Sequence, residues 1–169
     1  MAGLHAIFHP TKFYKVQVVI TLLIGLYTHT ANANEKKNCW VSVGVKYNID
    51  PWLLYSIAQV ESSLNPAAIN YNKTSVDFGL MQINSWWLPK LKKYGIYKNS
   101  LYDSCINIDV GAWILSQSIQ MFDNFWEGVG AYNAGTGKTK KAKLRRNKYA
   151  SKVYKQYTEN IKTYNLAVN

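Results

Sequence analysis

The sequence predicts a mainly α, α+β fold: a single helical domain with a small β excursion, behind a cleavable signal peptide. Three observations carry this. Apolar residues recur at helical spacing in several separate stretches, among them Leu54, Ile57 and Ala58, and Ile108, Ala112 and Leu115. One short stretch, Thr74 to Asn84, mixes polar and apolar residues around Gly79 without that period. The first 33 residues place basic residues before a short apolar run and a small-residue site.

His5, His9, Lys12 and Lys15 precede the run from Val16 to Tyr27, and Ala31-Asn32-Ala33 follows it. That order predicts export and a cut after Ala33, so the expected location is the periplasm. The run is short for a membrane span, though an uncleaved anchor is the alternative. Residues 34–169 keep 18 of the 20 lysines and arginines and all nine acids, a formal charge of +9. Such a charge favours an anionic partner: nucleic acid, a membrane surface or an acidic wall polymer.

All three histidines, His5, His9 and His29, fall in the segment to be removed. That excludes Ser-His-Asp and Cys-His catalysis and most zinc sites. Acid–base chemistry then falls to carboxylates, tyrosine or lysine. No metal or organic cofactor is implied. Cys39 and Cys105 are the two cysteines, and in an exported chain they predict one disulfide; two buried thiols are the alternative.

The elements follow in order. Cys39, Trp40, Val43 and Tyr47 mark a first helix over 36–48. Asp50-Pro51 starts a second, because the Asp side chain caps free N–H groups and proline at the first turn loses nothing. Glu61 lies four residues after Ile57, on the apolar face, and Asn65-Pro66 stops the helix. A carboxylate there is costly unless it has a partner or a task; the bland alternative is a side chain escaping to solvent. Residues 65–76 are polar and Asn-rich and predict a loop, and its sequon Asn72-Lys73-Thr74 is read as chance. A hairpin-like turn spans 74–84. Pro89 opens a short helix ending at Gly95, and 96–104 is read as a loop.

Residues 105–122 form the most hydrophobic helix, the expected core. A shorter helix over 124–132 ends at Asn133-Ala134-Gly135. Residues 136–148 are rich in glycine and lysine and carry Lys138, Lys140, Lys141, Lys143, Arg145, Arg146 and Lys148. This segment reads as a solvated, partly disordered loop, or as a contact for wall polymer, lipid headgroups or a protein partner. Tyr149, Val153, Tyr157 and Ile161 mark a last helix over about 149–164. Gly135-Thr136-Gly137-Lys138-Thr139 has the look of a phosphate loop but lacks its first glycine, a preceding strand and a following helix. No nucleic-acid module is recognisable.

Three blocks remain: Glu61-Ser62, Gly79-Leu80-Met81-Gln82-Ile83-Asn84, and Ala131-Tyr132-Asn133-Ala134-Gly135. Together, in this order, they resemble the soluble lytic transglycosylase family, and in particular its small exported members that accompany type III secretion and conjugation machines. The resemblance runs from about Cys39 to Tyr157. It implies a lysozyme-like fold and cleavage of the β-1,4 bond between N-acetylmuramic acid and N-acetylglucosamine in peptidoglycan. Its implied partners are glycan strands and a component of a secretion or conjugation machine, with the enzyme a monomer. Glu61 would be the general acid, since burial raises a carboxyl pKa and keeps its proton available. Gln82 and Asn84 would meet acetamido groups, Met81 and Tyr132 would wall the cleft with the Tyr132 hydroxyl near the acid, and Asn133 would help hold the site. Ser62 and Gly79 would also be substrate contacts, with Ser62 alternatively bonding near Glu61 or ending its helix, and Gly79 at the centre of the turn.

One position departs from the family pattern. Asp77 precedes Gly79 by two residues, where most members carry an uncharged residue and animal-type lysozymes an Asp. It is a candidate second catalytic carboxylate; the alternative is a turn acid bonding nearby backbone N–H groups. Three rival functions follow: a hydrolytic lysozyme using Glu61 and Asp77, a non-catalytic wall-binding module, and a basic membrane or nucleic-acid binder.

Overall fold

The structure, a computed structural model, describes residues 39–168. The expected signal peptide, its cut after Ala33 and the first residues of the predicted first helix lie outside the described residues. Helix α1 occupies residues 39–47 and ends at Asn48, whose φ of 53° breaks the helix. Helix α2 (Pro51–Ser62) starts as expected, with the Asp50 carboxylate accepting from Trp52 N at 2.8 Å. It ends a turn before Asn65-Pro66, because Ser63 and Leu64 both take left-handed φ values. Leu54, Ile57 and Ala58 are fully buried.

Three short antiparallel strands follow: β1 (Ile69–Tyr71), β2 (Val76–Phe78) and β3 (Ile83–Asn84). Phe78 faces Ile69 across one pair and Ile83 across the other. β1 corrects the reading of 65–76 as a loop. Its three side chains are exposed and it has no alternating pattern to betray it; backbone pairing to β2 makes it a strand. A 3-10 turn at Ser85–Trp87 leads into α3 (Leu88–Leu91), and Gly95 (φ 73°) closes the segment. The predicted loop 96–104 contains a 3-10 helix, Lys98–Tyr102, anchored by fully buried Leu101.

Helix α4 (Ser104–Gln120) forms the centre of the core through Ile108, Ala112 and Leu115, and Asp103 caps it by accepting from Ile106 N at 2.9 Å. The Cys39–Cys105 disulfide joins α1 to the first turn of α4, with the Cα atoms 5.5 Å apart. Helix α5 (Phe125–Ala134) is capped by Asn124, which accepts from Glu127 N at 2.9 Å.

Helix α6 (Lys140–Val168) corrects the last boundary. It starts nine residues before Tyr149, so most of the basic segment is helix and not loop. Lys, Ala, Leu and Arg are strong helix formers, and Thr139 caps the start by accepting from Ala142 N at 3.1 Å. α6 packs on α5 and α2. The approach to α5 is so close that a Cβ on Gly130 would lie 2.3 Å from Arg146 O. Gly135–Thr139 thus links two helices, without the strand a phosphate loop requires. No helix among the described residues is long and apolar enough to cross a membrane.

The disulfide closes a loop of 66 residues. Replacing Cys39 and Cys105 by alanine is expected to lower the unfolding free energy by about 2–4 kcal/mol, read by urea denaturation against the oxidised parent.

Candidate active site

A cleft of about 660 Å³ separates the C-terminal ends of α2 and α5 from the small sheet. Glu61 stands on its helical side. The residue occupies the last turn of α2, where the apolar face that buries Leu54 and Ile57 also carries its carboxyl inward. Tyr149 of α6 donates its hydroxyl to Glu61 Oε1 at 2.5 Å, and Asn133 Nδ2 of α5 approaches the same oxygen at 3.5 Å. Both partners use Oε1, which leaves Oε2 for a proton.

Burial pushes the Glu61 carboxyl above the usual range for a glutamate. The bonds from Tyr149 and Asn133 pull it back, the charge of Asp77 adds to the rise, and that of Lys152 opposes it. Burial, and then the charge of Glu61, lifts the Tyr132 and Tyr149 hydroxyls well above the ordinary tyrosine value. Both tyrosines are therefore hydrogen-bond donors at neutral pH and not bases, which leaves acid–base work to the carboxylates.

Asp77, the middle residue of β2, lines the opposite side. Its Oδ1 accepts from Asn84 Nδ2 at 2.6 Å and its Oδ2 from Asn72 Nδ2 at 2.8 Å. It is thus a strand residue oriented by two side-chain amides, and not a turn acid closed on backbone N–H groups. Asn70, Gln82, Trp87, Ile114, Tyr132 and Asn133 are among the other residues of the cleft walls.

The sheet side rests on one buried amide. Asn107 of α4 is fully buried; its Oδ1 accepts from Met81 N at 2.7 Å, and its Nδ2 donates to Phe78 O at 2.9 Å and Leu101 O at 2.7 Å. The turn it holds needs Gly79, with φ of 72°, because a Cβ there would lie 2.4 Å from Leu101 O. Ser62 Oγ donates to Leu80 O at 2.8 Å, and so ties the end of α2 to the same turn.

The family model described as the transglycosylase SLT domain matches residues 38–155. The chain belongs to the SLT transglycosylase family. As such it is a lytic transglycosylase of peptidoglycan. It is similar to the invasion protein IagB of Salmonella typhimurium (strain SL1344), 42% identical over 142 residues that cover 83% of this chain and 84% of IagB. Protein IpgF of Shigella flexneri is 39% identical over 124 residues, 72% of this chain and 80% of IpgF. X polypeptide of Escherichia coli is 42% identical over 126 residues, 73% and 75%. Among solved structures, an inactive mutant of lytic transglycosylase Slt from Pseudomonas aeruginosa matches with a TM-score of 0.60 at 20% identity. That match covers 76% of this chain but 24% of the Slt chain, so this chain spans about a quarter of that protein. The likeness is one of fold.

Of the site residues expected from the sequence, Glu61, Asp77, Gln82, Asn84, Tyr132 and Asn133 line one cleft. Three are placed differently. Met81 is fully buried and packs against Gly111, where a Cβ would come within 2.8 Å of it, so it supports the floor and does not wall the cleft. Gly79 and Ser62 shape the turn beneath. The Asn84 amide is engaged by Asp77 and by Ser75 Oγ at 2.8 Å, so it orients a carboxylate instead of offering its Nδ2 to a ligand. Gln82 Nε2 donates to Gly79 O at 2.9 Å, which leaves Oε1 for the cleft. Tyr132 donates to Met81 O at 2.6 Å; the hydroxyl that reaches Glu61 belongs to Tyr149.

Tyr149 and Asn107 escaped the sequence reading. Tyr149 lay in view, but as one of several apolar-face residues of the last helix, and nothing local names its partner. Asn107 did leave a signal: it lies one and two helical turns before Gly111 and Leu115, a polar residue on the core face of α4.

Replacing Asn107 by alanine would strand Met81 N, Phe78 O and Leu101 O. Thermal or urea unfolding should show a loss of roughly 3 kcal/mol or more, at about 1–3 kcal/mol for each buried group left unpaired.

Proposed function

We propose that the protein cleaves the N-acetylmuramic acid β-1,4 N-acetylglucosamine bond and leaves a 1,6-anhydro-muramic end, with Glu61 as the acid and then the base. The observation that carries this is one carboxyl, held largely out of water in a glycan-sized cleft, with its pKa raised by that burial. The protonated Oε2 gives its proton to the leaving oxygen as the C1–O bond breaks. The carbonyl oxygen of the sugar's own 2-acetamido group bonds to C1 and takes up the developing positive charge. Glu61, now charged and stabilised by the Tyr149 hydroxyl, takes the proton of the 6-hydroxyl. O6 then bonds to C1, the acetamido oxygen departs, and the anhydro ring closes with Glu61 protonated again.

Asp77 supports a second reading. It lies in the same cleft with its carboxylate fixed by two amides, and so could stabilise charge at C1 or serve a lysozyme-like hydrolysis that admits water. The products decide. Purified sacculi digested with the protein should yield muropeptides one water lighter by mass spectrometry than those a hydrolase releases. Fragments bearing that water would favour the Asp77-dependent hydrolysis. The expected setting is the periplasm, where an envelope-spanning secretion or conjugation machine needs a local opening in the wall. The resemblance to small exported members and the name of the invasion protein IagB support it.

Glu61→Gln is expected to cut activity on sacculi by about 10²–10⁴-fold, the usual contribution of a general acid. The same change should raise Tm at pH 7 by roughly a few degrees. A carboxyl whose pKa is raised by folding stabilises the fold when protonated, and that stability is lost as pH rises through the folded pKa. The Tm gain should therefore disappear below the unfolded glutamate value of about 4.3. Equal Tm values at pH 7 would count against a buried Glu61.

Tyr149→Phe removes a hydrogen bond that favours charged Glu61. The high-pH limb of kcat/KM, which reports loss of the Glu61 proton, should move to higher pH in this variant. A limb that stays in place would assign the proton to another group.

A further inference from the structure

Five cations of α6 lie in one row. Lys141, Arg145, Lys148, Lys152 and Lys155 follow one another at alternating steps of four and three, so they share one side of the helix over about 21 Å. All five are exposed, while Ala142, Arg146, Tyr149 and Val153, about 100° round the helix, turn the adjacent side into the core. Among the described residues the ion pairs use Lys46 and Arg146, so none of the five is neutralised by a carboxylate. Glu159, one turn beyond Lys155, ends the row. Arg145 and Lys152 lie one turn either side of Tyr149, whose hydroxyl touches Glu61. The row therefore passes the acid end of the cleft. The charge of Lys152 is felt at Glu61.

A row of unpaired positive charge beside a glycan cleft calls for negative charge borne by the glycan. The sugars of the strand are uncharged at the scissile bond, but the peptide stems attached to muramic acid carry free carboxylates. We propose that this row of α6 binds the stem-peptide carboxylates of the strand being cut, and so makes the enzyme favour peptide-bearing wall over bare glycan. This rests on the transglycosylase reading above. A membrane surface fits less well, because an interfacial helix needs an apolar face to bury in lipid. That face of α6 is spent on α5 and α2.

The test separates binding from catalysis. Glu61→Gln protein is cosedimented with sacculi, and with sacculi whose carboxyl groups have been amidated by carbodiimide coupling. The intact wall should be bound about tenfold more tightly at low salt, as expected when several exposed ion pairs act together. The difference should fade as ionic strength rises. The added changes Lys141→Gln, Arg145→Gln, Lys148→Gln and Lys155→Gln lie on exposed helix positions and should leave folding unchanged by circular dichroism. They should bring both affinities to the weaker value. Equal affinity of the parent for the two walls, or discrimination that survives in the quadruple variant, overturns the proposal. So does displacement of the parent from sacculi by phosphatidylglycerol vesicles. Because Glu61→Gln is used, this outcome does not depend on which product the active enzyme makes.

Discussion

The hydrogen bond between Tyr149 and Glu61 joins residues 88 positions apart, and the active arrangement depends on it. Helix α2 alone carries its acid toward an apolar interior where ionisation is penalised. Helix α6 supplies the one close donor that makes the charged state tolerable. The two effects oppose each other, and the balance stays on the side of a raised pKa. A carboxyl with only the first would resist giving up its proton, and one with only the second would lose it too early. The cycle proposed for Glu61, acid in one step and base in the next, needs both.

The opposite wall works differently. Asp77 receives two amide donors and belongs to a strand, so its orientation is set by neighbours close in sequence: Asn72, five residues before, and Asn84, seven after. The sheet is too small to hold itself, since isolated two- and three-residue strands are marginal. Asn107 supplies the missing rigidity by fastening both ends of the turn 78–81 to the core helix. Ser62 adds a link from the acid-bearing helix to that turn. The distance between the two carboxylates is therefore governed by core contacts beneath the cleft, and not by the groups that face the sugar.

Much of this was legible in the sequence because it obeys local rules. Asp50-Pro51 is a cap whose partner lies two residues away, and it starts a helix in the structure. The placement of Glu61 on an apolar face could be read from Leu54 and Ile57. What failed was the part with no local signature. Strand β1 is exposed on every residue and exists through pairing alone. The lysines of 140–148 read as solvated charge, although the same residues are good helix formers once Thr139 caps them. Met81 was assigned to the wall because a motif gives the order of residues and not the face each one presents. Asn107 bears the same mark as Glu61, a polar group on a core face, but its partners Met81 and Phe78 lie 26 and 29 residues away and leave no local sign of what it holds.

Arg146 explains why α6 is seated in one rotation. Its guanidinium is buried, pairs with Glu127 at 2.9 Å, donates to Gly137 O at 2.6 Å and lies over the Phe122 ring. A buried ion pair contributes little net stability, because desolvation offsets most of the attraction. Its geometry is another matter. Each residue advances a helix by about 100°, so a slip of one position along α5 would turn Tyr149 away from Glu61 and carry a lysine into the core. Either event leaves a buried charge unpaired, which costs far more than the pair contributes. With Arg146 held by Glu127 and by the carbonyls of the loop before α6, Tyr149 has one direction left to point. The same constraint turns Lys141, Arg145, Lys148, Lys152 and Lys155 outward beside the cleft, so the position of the acid's partner and the exposure of the basic row are two consequences of one helix rotation.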